Sequence, residues 1–176
     1  QYPDGKEDIV ELCIRRSVLA KSNQYFRYYS DDLAEAITLS GQVVIRWAEI
    51  AVDSKIQKVM GDKKNRVIAM DTDSLYIEMK DLVNAHCKDT TVDGKVNWLD
   101  KTASSLFQPL INKAYDELAV HMNSFENAMT MKREAIAETA IWTGAKKYFM
   151  SVWDNEGVRF KEAKFKATGI ESIRSS

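Results

Sequence analysis

The hydrophobic period of this chain changes three times, and that succession restricts the fold more than any single motif does. From Ser30 the pattern is helical: Leu33, Ile37, Gly41, Val44, Ala48 and Val52 recur every three or four positions, and Ile56 and Val59 continue the stripe. Ser30 suits an N-cap, and Asp31 and Asp32 fall in the first turn, where the helix dipole favours acids. Gly61-Asp62-Lys63-Lys64-Asn65 ends the stripe. Residues 66–70 and 75–80 then read as two short strands of a hairpin. The helical period returns from about Trp98 to Met122, with Leu99, Ala103, Leu106, Leu110, Ala114 and Leu118 on one face. Pro109 inside it predicts a kink or a break, and residues 90–95 before it read as an exposed loop. After Asn127 the period becomes two. Residues 128–137, 146–153 and 158–165 read as strands, with Asp154-Asn155-Glu156-Gly157 turning between the last pair. The order helix, ββ, helix, βββ predicts an α+β fold, an antiparallel sheet with helices packed on one face.

The 176 residues suffice for one domain with a real core. No apolar run approaches the roughly 18 residues of a membrane span, and no basic-then-apolar leader suggests export. The start at Gln1 reads as a fragment or a processed chain. Cys13 and Cys87 lie far apart and outside any CxxC pattern, and His86 and His121 form no ligand cluster with them, so zinc is disfavoured. The net charge is −1, but it is unevenly spread: residues 129–176 carry +3 and the rest −4. Local charge is what a phosphate feels within a Debye length. The four tryptophans and seven methionines are expected to fill the core.

Between the first two strands stands Asp71-Thr72-Asp73-Ser74. Residues one apart in a regular strand point to opposite faces. A tight turn relaxes that restriction and lets Asp73 project from the tip. Carboxylate oxygens suit Mg²⁺, which takes one or two of them plus substrate phosphates. Aspartate also populates turns for geometric reasons alone, and nucleotide-sugar glycosyltransferases use a DxD as well, so the spacing by itself does not name a reaction.

The longer text does. "AMDTDSLYI" resembles motif C of family B DNA polymerases, and most closely that of the replicative polymerases of T-even-like tailed bacteriophages. Residues 23–42, "NQYFRYYSDDLAEAITLSGQ", are similar to the segment that leaves the fingers and enters the first palm helix. Residues 131–160, "MKREAIAETAIWTGAKKYFMSVWDNEGVRF", look like the stretch with the family's REAI strand and Lys-x-Tyr motif. "KATGIESIRSS" resembles the segment just before the thumb. The resemblance covers residues 23–176 and implies a polymerase palm, with residues 1–22 as an atypical segment, a remnant or replacement of the fingers.

By that resemblance Asp73 coordinates catalytic metal, Mg²⁺ or Mn²⁺, and Asp71 supports the metal environment. Glu134 matches a further palm carboxylate, though the family's neighbouring acid is Lys132 here. Lys146 and Tyr148 match the motif that holds the primer end and minor groove of the duplex; read from their charge alone, Lys147, Arg159, Lys161, Lys164 and Lys166 either extend a phosphate-tracking face or are simply solvated. The implied chemistry is attack of a primer 3′-hydroxyl on the α-phosphate of a dNTP. The implied partners are primer-template DNA and the exonuclease, fingers and thumb domains, in the cytoplasm of a bacterial host. The family's motif A, DxxSLYPS, has no counterpart in these residues; Tyr2-Pro3 echoes only its YP. The fingers motif KxxxNSxYG is likewise missing, and Arg15, Arg16 and Lys21 do not align with it. Met70 replaces the usual glycine of motif C. Little or no polymerase activity is expected from these residues alone. The alternative is a non-catalytic module that binds primer-template or assembles with the rest of a split polymerase.

Overall fold

The structure, a computed structural model, describes residues 5–14, 30–71, 73–124, 127 and 129–169. Tyr2-Pro3, Arg15, Arg16, Lys21, the boundary at residues 22 and 23, Thr72, Ala128 and residues 170–176 lie outside the described residues. The elements run β1 (Lys6–Ile14), α1 (Asp31–Met60), β2 (Val67–Asp71), β3 (Ser74–Glu78), α2 (Lys80–His86), α3 (Val92–Thr102), a π-helical turn (Ala103–Phe107), α4 (Gln108–His121), β4 (Met131–Gly144), β5 (Lys147–Asn155) and β6 (Val158–Thr168). The strands form one sheet in the order β2-β3-β1-β4-β5-β6, with every ladder antiparallel. This is the α+β architecture that the changing period predicts.

Three local readings are corrected. Residues 6–14 carry no expected element, yet β1 lies at the centre of the sheet, between β3 and β4. Ile9, Val10, Glu11 and Leu12 are all buried. A strand covered on both faces shows no clean alternation, and two buried acids, Asp8 and Glu11, disguise it further. Residues 90–95 are not a loop: α3 begins at Val92, with the Thr91 side chain accepting from the Gly94 N–H. Asp89 Oδ1 accepts from both the Thr91 N–H and its hydroxyl. A Cβ on Gly94 would meet Asp89 at 2.1 Å, so glycine admits this capping turn. The third correction is α2, too short at 7 residues for its buried Leu82 and Val83 to declare a period.

Pro109 does interrupt the second long helical run. The Gln108 N–H reaches back to the Ala103 carbonyl, and the helix widens into its π turn just before the proline.

The sheet separates two cores. One joins all four helices to Val10, Leu12, Leu75, Ile77, Met131 and Ile136. The other contains strand residues alone, among them Ile9, Tyr76, Ala135, Ala137, Tyr148 and Met150, and occupies the face that the helices leave uncovered. That face is curled. Lys166 Nζ on β6 reaches Glu11 Oε2 on β1 at 2.8 Å, although three strand spacings of a flat sheet would put the two backbones about 14 Å apart, with both side chains standing off the sheet.

The β2–β3 hairpin is fixed at its base. Asp53 of α1 accepts from the backbone N–H of Arg66 and Val67 at 2.7 and 3.1 Å. Arg66, 1% exposed, donates two bonds to Asp62 and one to Asp81. The helix layer thereby sets where the acidic tip emerges.

Candidate metal and nucleic-acid site

At the far end of that hairpin Asp71 closes the ladder opposite Ser74, and the two-residue connection between them includes Asp73. Asp73 is exposed. The Ser74 hydroxyl lies 3.5 Å from its Oδ1, a long contact that steadies the turn. Beside Asp71 a cleft of about 630 Å³ opens, bounded by Leu39, Val43, Trp47 and Ile50 of α1 and by Met70.

The turn from β4 to β5 comes to the same place. Lys146 Nζ stands 3.4 Å from Asp71 Oδ1, with the lysine side chain 69% exposed and the aspartate 34%. Lys146 adopts a positive φ of 59°, unfavourable for a residue with a Cβ. The end of β6 presses on it: a Cβ at Gly169 would lie 2.3 Å from the Lys146 carbonyl oxygen. Thus the DTDS tip, the Lys-x-Tyr turn and the KATG segment, far apart in sequence, meet at one corner of the sheet.

Tyr148 and Glu134 occupy the curled face behind that corner. Tyr148 is 7% exposed and its hydroxyl points to Tyr76, at 3.2 Å. Tyr76 donates its one proton to Glu11 Oε1 at 3.0 Å, so its oxygen accepts from Tyr148. Trp142 completes a ring cluster, 5.3 Å from Tyr76 and 5.9 Å from Tyr148. Glu134 is the extra residue of a β-bulge, since Leu12 pairs with Arg133 and Glu11 with Ala135. Its carboxylate shares the Lys166 ammonium with Glu11, at 3.3 and 2.8 Å.

Burial raises the Glu11 carboxyl above its ordinary value, against the opposing bond from Lys166. Burial works against the charge on Lys166, yet the bond to and attraction of Glu11 outweigh it and raise that group too. Cys13, the β1 residue opposite Ser74, has its thiol pushed up to about 11 by burial, with the charges of Asp73 and Glu134 adding to the shift.

No family model matches the chain. It is 35% identical over 177 residues to the DNA-directed DNA polymerase of Escherichia phage RB69, across 94% of this chain and 20% of that protein. It is 31% identical over 196 residues to the DNA-directed DNA polymerase of Enterobacteria phage T4, across 96% and 22%. This chain is related in sequence to T-even phage DNA polymerases. It spans about a fifth of the length of those curated relatives.

The relationship gives the corner its interest. Among the described residues no three His, Cys, Asp or Glu side chains converge into a group that holds a metal unaided. Two turn carboxylates are nonetheless the donor set that a hydrated Mg²⁺ accepts when phosphate oxygens complete its shell. An ammonium already stands on one of them, which shows that the spot accommodates a cation.

The predicted basic face is partly turned inward. Lys166 bonds Glu11 and Glu134, and Arg159 bonds Asp154 and Asn97. Lys164 sits 4.2 Å above the Phe160 ring, while Lys147 and Lys161 are exposed. No described helix is long and apolar enough to cross a membrane. Sequence reasoning missed Glu11 and Tyr76. The only signal was an acid inside the apolar run "DIVELCI", which is no motif.

Proposed function

We propose that the chain is the palm portion of a DNA-directed DNA polymerase, acting on primer-template DNA in the cytoplasm of an infected bacterium. The observation that carries this reading is the meeting of Lys146 with Asp71, in a chain related to phage polymerases along nearly its whole length. Asp71 and Asp73 would hold Mg²⁺ or Mn²⁺. A metal there supplies charge neutralisation on the phosphates of a dNTP and lowers the pKa of a primer 3′-hydroxyl.

The chain's own residues position. Lys146 and Lys147, on an exposed turn, attract duplex phosphate without reading sequence. Tyr148 serves from behind: its ring and hydroxyl anchor the strand that begins with Lys147. Glu134 balances Lys166 at the back of the site and fixes the bulge that leads β4 past the tip.

A second reading is favoured by one feature. With no DxxSLYPS string in these 176 residues and no three-ligand group among the described ones, the chain by itself suits a primer-template binding or assembly module.

The deciding experiment mixes the purified chain with a polypeptide carrying the regions of the phage relatives that flank the aligned fifth. Mg²⁺-dependent primer extension is then assayed, with Asp73→Ala as control. Extension that appears only in the mixture and vanishes with Asp73→Ala supports the catalytic palm. Primer-template binding without extension supports the binding module, and binding of a nucleotide sugar instead overturns both.

A further inference from the structure

The pairing of Lys146 with Asp71 joins a cation expected to touch DNA to an anion expected to touch metal. Each satisfies the other while neither ligand is bound. Lys146 and Lys166 are both bonded to site carboxylates, and they differ in freedom. Lys166 is 31% exposed and divides its ammonium between two acids, one of them only 3% exposed. Moving it would strand a buried charge. Lys146 makes one contact of 3.4 Å from a side chain 69% exposed. Its backbone is held by the close approach of Gly169, so the side chain can leave while the turn stays.

We infer that Lys146 is an exchangeable internal counter-ion that links metal binding to DNA binding: a divalent ion on Asp71 releases the ammonium, which then pairs with a DNA phosphate. This rests on the reading above that Asp71 belongs to the metal site. Without metal, phosphate must compete with Asp71 for Lys146. Without DNA, metal must displace Lys146 from Asp71. Linkage makes the two effects equal, so each ligand strengthens the other by the same factor. An exposed ion pair of this geometry sets that factor at about twofold to fivefold. Lys166, bonded behind the tip, takes no part in the exchange and keeps the curled face neutral.

The test uses the full chain and Mn²⁺, whose free concentration is read from its electron paramagnetic resonance signal. In the absence of DNA, Lys146→Gln binds Mn²⁺ about twofold to fivefold more tightly than the unsubstituted chain, because the competitor is gone. Lys113→Gln, at an exposed lysine of α4 that pairs with Glu117, leaves Mn²⁺ affinity unchanged. In an Asp71→Asn background, Lys146→Gln has no effect. A second arm measures primer-template affinity by fluorescence anisotropy at fixed ionic strength, with and without Ca²⁺. The gain that Ca²⁺ gives the unsubstituted chain exceeds the gain it gives Lys146→Gln by the same twofold to fivefold.

Equal or weaker Mn²⁺ binding by Lys146→Gln overturns the inference, as does absence of Mn²⁺ binding by the unsubstituted chain. Failure to bind primer-template overturns the proposed function, while the Mn²⁺ arm still decides the role of Lys146.

Discussion

At the scale of single residues, the site and the stability of the chain pull against each other at Lys146. Its positive φ costs about 1 kcal/mol that glycine would not incur. Lys146→Gly should therefore raise the unfolding free energy by about 0.5–1 kcal/mol in urea titrations while weakening primer-template binding. Tyr115 offers a simpler case. Its hydroxyl is buried with no partner among the described residues, a penalty of about 1–3 kcal/mol, so Tyr115→Phe should stabilise the chain by about 1–2 kcal/mol. Cys13, with its thiol at about 11, should resist iodoacetamide at neutral pH, since the thiolate is the reactive form; mass spectrometry of the labelled peptides checks this. The turn that exposes Asp73 was legible because a turn motif needs no partner to be recognised. Glu11 was not, because its meaning lies entirely in Tyr76 and Lys166, which only the folded sheet brings to it.

Among the elements, the hairpin depends on a helix that it does not contain. Asp53→Ala would leave the N–H groups of Arg66 and Val67 without their shared acceptor, at a cost of about 2–4 kcal/mol. Amide exchange should show the loosening first in β2, ahead of β5 and β6. Elements with one solvent-facing side were readable. The stripe of α1 and the turn between β5 and β6 match their expected positions within a few residues. β1, a buried strand with no turn motif recognised beside it, and α2, shorter than two turns, were not readable; β3 is buried along its whole length too, but the polar Asp71–Ser74 turn announced it. The tryptophans, read as core, pack only partly buried against it; of the methionines, Met79, Met131 and Met150 are buried and Met122 is exposed.

For the molecule as a whole, acid should act through opposed groups. The bond from Arg66 holds the exposed Asp62 carboxyl at about 2, below its ordinary 3.8. Its contribution is complete above pH 3.8 and is lost as pH falls through about 2. Glu11 runs the other way. Its raised value means the folded chain binds the proton more tightly than the unfolded one, so stability rises as pH falls through that value toward 4.5. Thermal melting of Asp62→Asn should accordingly show a shallower loss between pH 3.8 and 2 than the unsubstituted chain. The place of β1 has a further consequence, in time rather than in energy. Its neighbours begin at residues 74 and 131, so during synthesis it leaves the ribosome long before either exists. Its β3 edge can close once residue 78 is made, but its β4 edge stays open until β4 has been translated, and a chaperone that shields nascent strands would find its longest task there.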